Sequence, residues 1–133
     1  MKLLLDANIL LDVALEREHF DSANDVLVLC QDSIHQGFVS WHSLAVFYYI
    51  CSRKKGDSDT REALDSLLDY VQVSPSDTAM AKMAIKSKMR DFEDALQAMA
   101  AIKSGCDFIV TRNIKDFKNS LVPPILPEKV KDQ

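Results

Sequence analysis

The chain has 133 residues, 47% hydrophobic and 27% charged, with a net charge of −4. That length suits one domain over 1–133, and the balance is neither disordered nor membrane-like. The acidic sum excludes a protein that grips nucleic acid by overall positive charge. A nucleic-acid partner would have to be met at a local site where bound cations supply that charge.

Lys2-Leu3-Leu4-Leu5 reads as a buried strand, and Asp6-Ala7-Asn8 as the start of a helix carrying Ile9, Leu10, Val13 and Ala14 at helical spacing. An acid after only three leucines leaves no apolar run or cleavage site for a secretory signal, so a cytoplasmic location is expected. No stretch is apolar for long enough to span a bilayer. A second helix is expected from about Asp21 to Ile34, broken by Gly37, with Phe38-Val39 as the next strand.

Ser40 can cap a helix from Trp41 to about Arg53. Leu44, Val46, Phe47, Tyr48 and Ile50 make it apolar on nearly every side, so it should be buried in the fold or in an interface. Lys55-Gly56-Asp57 is a turn, and Asp59 to Tyr70 a further amphipathic helix. Val71-Gln72-Val73 is a strand candidate, and Ser74-Pro75 opens a helix through Ala84. Asp91 to Ser104 is the clearest helix, ended by Gly105. Asp107 to Val110 is a strand, and the Pro-containing tail holds at most a short edge strand. Strands alternating with helices indicate a three-layer α/β/α sandwich on a short, mainly parallel sheet.

Cys30, Cys51 and Cys106 show no CxxC spacing and read as buried free thiols. His19, His35 and His42 lack the i, i+4 spacing of a helical zinc site. The acids are more informative. In an open parallel sheet, ligands bind beyond the carboxyl ends of the strands. Asp6 ends the first strand, while Thr111, Asn113 and Asp116 follow the strand at 107–110. Asp91 and Asp94 begin the long helix between them. Each has an ordinary explanation as a helix cap, and Asp91 with Asp94 has the offset of a capping pair.

Together they would crowd one edge of the sheet. Crowded carboxylates repel and need a cation, and hard oxygen ligands favour Mg2+ or Mn2+. Divalent ions suit a phosphodiester substrate. Arg112, Lys115, Lys88 and Arg90 are then candidates to touch its backbone, or are ordinary solvated surface.

Leu5-Asp6-Ala7-Asn8, the DFEDALQAMAA run at 91–101 and the VTRNIKDF run at 110–117 resemble the PIN domain family, in order and over nearly the whole chain. The resemblance implies a Rossmann-like α/β/α nuclease whose acidic cluster holds Mg2+ or Mn2+. It is similar to single-domain bacterial members, the VapC-like toxins of toxin–antitoxin pairs, which cut RNA and form dimers. RNA, an antitoxin protein and a second copy are thus the expected partners.

Asp6 matches the family's first acid and Asp94 the acid of its central Asp-Ala helix. Asp91 belongs to a DFED variant, and Asp116 or Asn113 fills the last block. Asn8, Thr111, Asn113 and Arg112 stand beside them as supporting or substrate-contacting candidates. One position departs from the pattern: where members commonly carry a glutamate after SxxxLA, this chain has Val46. A binding module with little catalysis is therefore the alternative expectation. Phosphoryl transfer through an aspartyl nucleophile fits less well, because its second Asp is replaced by Asn8 and no Gly-rich phosphate loop is present.

Overall fold

Leu3, Leu4 and Leu5 are all fully buried, yet they belong to two different cores. Successive strand residues face opposite sides of a sheet, so Leu3 and Leu5 point one way and Leu4 the other. A strand apolar on both faces belongs in the middle of a covered sheet, and that is where it lies. The computed structural model describes residues 1–133. Its sheet has five strands, β1 (Lys2–Leu5), β2 (Gln36–Val39), β3 (Val71–Val73), β4 (Phe108–Val110) and β5 (Pro124–Ile125), in the order β3-β2-β1-β4-β5.

Every pairing is parallel. Leu3 is in register with Gly37 on one side and Phe108 on the other, and Leu5 with Val110. The chain moves from β1 outward to β3, then crosses back to lay β4 against the free side of β1. The switch point of the sheet is the crevice between the carboxyl ends of β1 and β4.

Helices α1 (Ala7–Ala14), α2 (Phe20–Gln31) and α3 (Trp41–Leu67) cover the Leu3/Leu5 face, where Ile9, Leu11, Val26, Phe47 and Cys51 complete the core. Helices α4 (Thr78–Lys86) and α5 (Phe92–Lys103) lie on the other side, where Ala98, Ala101, Ile109 and Phe117 pack around Leu4. The expected α/β/α layering and its parallel sheet are present. The cysteines are all buried and free, as expected. No helix is long and apolar enough to cross a membrane.

Two element boundaries differ from the sequence reading. Gly37 does not break α2; it lies within β2, and the chain reverses earlier, through Ser33 at φ 60°. A Cβ at Gly37 would stand 3.0 Å from Cys30 Sγ and 3.3 Å from Val71 Cγ2, so glycine lets α2 approach the sheet. The helix expected from Ser74-Pro75 starts instead at Thr78, capped by Asp77, which accepts from Met80 N at 2.9 Å. Ser74 Oγ is occupied elsewhere, accepting from Ser104 Oγ at 2.7 Å. The two helices expected on either side of Lys55-Gly56-Asp57 are both present as the two arms of α3, separated at the expected turn by Gly56, which leaves the helical conformation at φ 82°, ψ 171°. The amino-terminal arm of α3 buries Ser43, Phe47 and Cys51, but Trp41 and Tyr49 remain 67% and 59% exposed. The edge strand expected in the tail is β5.

Candidate active site

Asp6 is the first residue beyond β1 and the N-cap of α1. Its Oδ1 accepts from Asn8 N at 3.3 Å, so the ordinary capping explanation holds. Capping uses one oxygen only. Oδ2 accepts from the Thr111 hydroxyl at 2.8 Å, across the crevice between β1 and β4. Thr111 is fully buried and Asp6 is 6% exposed, so this carboxyl group is held by both strands that flank the switch point. Thr111 Oγ1 also accepts from Asn113 N at 3.0 Å and shapes the next turn.

Asp91 caps α5, accepting from Asp94 N at 2.9 Å. That bond fixes the first turn of α5 and with it the Asp94 side chain, which is half-buried. Burial, then the charges of Asp91, Asp6, Asp116 and Glu93, pushes Asp94 up to about 7. Four acids from three segments therefore act on one carboxyl group, which requires them to share one rim of the sheet. Asp116 lies in the short 3-10 turn Ile114–Phe117 after β4, where Asn113 Nδ2 donates to its Oδ2.

The acids share a rim without touching. No three His, Cys, Asp or Glu side chains are drawn closely enough together to hold a metal ion as they stand. Carboxylates crowded without a cation repel: two about 6 Å apart do so by roughly 3 kcal/mol at an effective dielectric of about 20. The donor set itself, carboxylates and an amide with no thiolate, suits a hard divalent ion such as Mg2+ or Mn2+.

Two residues at this rim were not singled out by their sequence pattern. Glu93 is raised by partial burial of its carboxyl and then by the charges of Asp91 and Asp6. A second acid in the first turn of a helix looks like any solvated first-turn acid, so no local signal marked it. His42 lies in the first turn of α3, with Nε2 buried and without a hydrogen-bond partner. Burial lowers its pKa while the Asp6 charge opposes that shift, so His42 faces the acidic rim. Only the topology reveals this, because β2 lies beside β1.

Arg112 does not stand free for a substrate. It donates to Asp12 Oδ2 at 3.3 Å, Ser22 Oγ at 2.7 Å, His19 O at 3.3 Å and Glu128 Oε2 at 3.5 Å. It ties the end of β4 to α1, α2 and the carboxyl-terminal 3-10 turn as a structural clamp. Lys115, Lys88 and Arg90 have no carboxylate partner within 4.0 Å, and all are exposed.

Residues 2–115 match the family model of the PIN domain. The chain belongs to the PIN domain family. Its fold is shared with solved PIN structures at low sequence identity. VapBC2 from Rickettsia felis, bound to a DNA fragment from its promoter, is 22% identical with a TM-score of 0.70 over 93% of this chain and 96% of that one. VapC20 from Mycobacterium tuberculosis, described as a sarcin–ricin loop cleaving toxin, is 15% identical with a TM-score of 0.71 over 92% of this chain and 98% of that one. FitAB, bound to a DNA fragment, is 16% identical with a TM-score of 0.70 over 95% of each chain. No curated protein sequence matches the chain. The PIN resemblance drawn from the three sequence blocks is thus borne out over residues 2–115, nearly the whole chain.

Proposed function

We propose that this PIN domain is a Mg2+- or Mn2+-dependent endoribonuclease and the toxin of a toxin–antitoxin pair. The observation that carries the reading is the convergence of charge on Asp94, raised to about 7 by burial and by Asp91, Asp6, Asp116 and Glu93. Uncompensated carboxylates are unfavourable for a fold, and a cluster of them at a switch point is a functional signature. Asp6, Asp94 and Asp116 are the proposed metal-binding groups, with Asp91 both cap and further carboxylate. A divalent ion held there would lower the pKa of a water and neutralise the phosphodiester.

The chain's own groups do the rest. The Thr111 hydroxyl holds Asp6 Oδ2, and Asn113 orients Asp116. The Asp91 cap sets the first turn of α5 so that Asp94 faces the same rim. The net negative charge is then no obstacle, because the ion recruits the phosphate locally and exposed Lys115 and Arg90 supply outer contacts.

An antitoxin partner is supported by the VapBC2 and FitAB complexes among the structural neighbours. Pairing with a second copy is supported by the outer face of α3, where Tyr49 is 59% exposed. A PIN-like binding module with little catalysis is the second reading. It is favoured by apolar Val46 and by the lack of a ready-made three-donor set. Purified protein incubated with single-stranded RNA and Mn2+ tests both: cleavage abolished in Asp6→Asn supports the nuclease, and binding without cleavage supports the module.

A further inference from the structure

Beyond the carboxyl ends of β2 and β3, and beneath α4 and α5, lies a cavity of about 480 Å³. That volume is within the range of small-molecule sites, about 300–1,000 Å³. Asp6, Asp91, Asp94 and Asp116 do not line it. Its wall includes His42, which feels the Asp6 charge, and Met99 of α5, the helix whose first turn carries Asp94. Adjacent strands are about 4.8 Å apart, so the end of β3 lies roughly 10 Å from the end of β1.

The lining has a distinct character. Trp41 stands at the amino end of α3 and is 67% exposed, although tryptophan is the residue with most to gain from burial. Met80 and Met99 provide further soft apolar wall. Ser76 and Thr78 bring hydroxyls that make no hydrogen bond within the protein. The one carboxylate of the lining, Asp77, is occupied by Met80 N at 2.9 Å and faces Lys103 Nζ at 3.6 Å, so its charge is offset. An apolar wall with an aromatic plate and a few free hydroxyls complements a planar group with apolar faces and a polar edge.

We propose that this cavity receives a nucleobase of the RNA strand beside the scissile phosphate, stacked on Trp41 with its edge toward Ser76 and Thr78. The assignment rests on the ribonuclease reading for the identity of the strand. It makes base capture a property of the cavity, separate from the acidic rim. Stacking of a base on an aromatic side chain is sequence-tolerant, because every base has a π-face, so the hydroxyls would supply what preference there is.

Trp41 is the sole tryptophan, which gives the cavity its own spectroscopic probe. Intrinsic emission is to be followed while AMP, GMP, CMP, UMP and a short single-stranded RNA are added in EDTA, where no metal chemistry intervenes. Saturable quenching is expected, and it should persist in Asp6→Asn. With end-labelled RNA, Trp41→Ala should weaken binding about fivefold or more, and Trp41→Phe should recover most of the loss. Ala81→Phe, which fills the cavity while leaving Trp41 in place, should weaken binding and quenching together. Melting curves establish that each variant is folded.

No quenching by any nucleotide, or RNA binding by folded Trp41→Ala equal to that of the parent, would overturn the assignment and leave the cavity to a protein side chain. Quenching undiminished in folded Ala81→Phe would also overturn it, by showing the base on the outer face of Trp41. If quenching behaves as expected but no RNA is cut with Mn2+, the ribonuclease reading fails and the base site stands.

Discussion

The Thr111 hydroxyl donates to Asp6 Oδ2 at 2.8 Å, joining residues 105 positions apart at the crevice between β1 and β4. The bond is buried and its acceptor is a carboxylate, the class of hydrogen bond worth about 1.5–3 kcal/mol. Thr111→Val keeps the shape and removes the donor. It should lower stability by about 2 kcal/mol, and it should reduce any metal-dependent cleavage by freeing the Asp6 carboxylate to rotate. Thr111→Ser should retain the bond and most of both properties. A Thr111→Val protein as stable and active as the parent would show that Asp6 is held by its α1 cap alone.

Metal binding follows from the same rim. A ligand that favours the folded state stabilises it by about 2.7 kcal/mol at a concentration of about 100 times its dissociation constant. Mn2+ should therefore raise the melting temperature by several degrees. Asp6→Asn and Asp94→Asn should each remove most of that increase. Calorimetric titration gives an independent reading of affinity. Equal Mn2+ responses in the parent and both variants would reject these carboxylates as ligands.

The pH dependence of the metal-free protein has a defined sign. Asp94 has a carboxyl pKa of about 7 in the fold, above its ordinary value of 3.8, because of burial and then Asp91, Asp6, Asp116 and Glu93. The folded state thus holds a proton that the unfolded chain releases near pH 4. The penalty is absent below about pH 4, grows between about 4 and 7, and is complete above 7. Asp94→Asn should flatten this slope and stabilise metal-free protein at pH 8 by on the order of 1 kcal/mol, once solvent screening of a half-buried group is allowed for. Saturating Mn2+ should invert the ranking. Denaturant melts of both proteins at pH 5 and pH 8 check it, and equal slopes would show that Asp94 carries no such charge burden.

The layers of the fold were legible because β1 is apolar at three consecutive positions, Leu3 to Leu5, and each helix announces a face. The acids were legible individually as caps, and Asp6 and Asp91 are indeed caps. Their gathering at one edge was expected from the strand ends they follow, but which side chains meet there depends on the strand order, which local spacing does not encode. The same limit hid His42, a residue of β2's flank that becomes a neighbour of Asp6 only when β2 pairs with β1. Gly37 was misread because glycine near a helix end usually marks a stop, whereas here it makes room for Cys30 Sγ. The start of α4 was misplaced because Ser74 and Asp77 are both acceptable caps, and Ser74 Oγ is bonded to Ser104 Oγ.

Arg112 provides a test of positioning without substrate contact. Its removal would leave Asp12, whose side chain is 8% exposed, with only Arg17 at 3.8 Å. Breaking a largely buried charge pair by deleting one partner is costly, and about 2–3 kcal/mol is expected for Arg112→Ala at this partly exposed site. Arg112→Lys should recover little, because a single ammonium cannot reach Asp12, Ser22 and Glu128 together. The salt dependence of RNA affinity should stay the same in either variant, since no phosphate contact is lost. A shallower salt slope in Arg112→Ala would return this residue to the RNA-binding surface.

Val46 decides whether the missing glutamate matters. It is half-buried and belongs to neither hydrophobic core cluster. It also lies one helical turn beyond His42, on the same face of α3, and His42 feels the charge of Asp6. Val46→Glu should therefore extend a carboxylate toward the acidic rim. Metal-free protein should lose stability, because another negative charge joins those already crowded there. Mn2+ should restore more than that loss, with tighter binding and faster RNA cleavage than the parent. Melting temperatures with and without Mn2+ separate this from simple core disruption, which would destabilise both states equally and leave affinity unchanged. In that event Asp91→Asn identifies the substitute ligand. Asparagine caps a helix about as well as aspartate, so the α5 start is preserved while the charge is removed. A large fall in Mn2+ affinity would make Asp91 the fourth carboxylate of the site, and an unchanged affinity would leave it as the cap of α5.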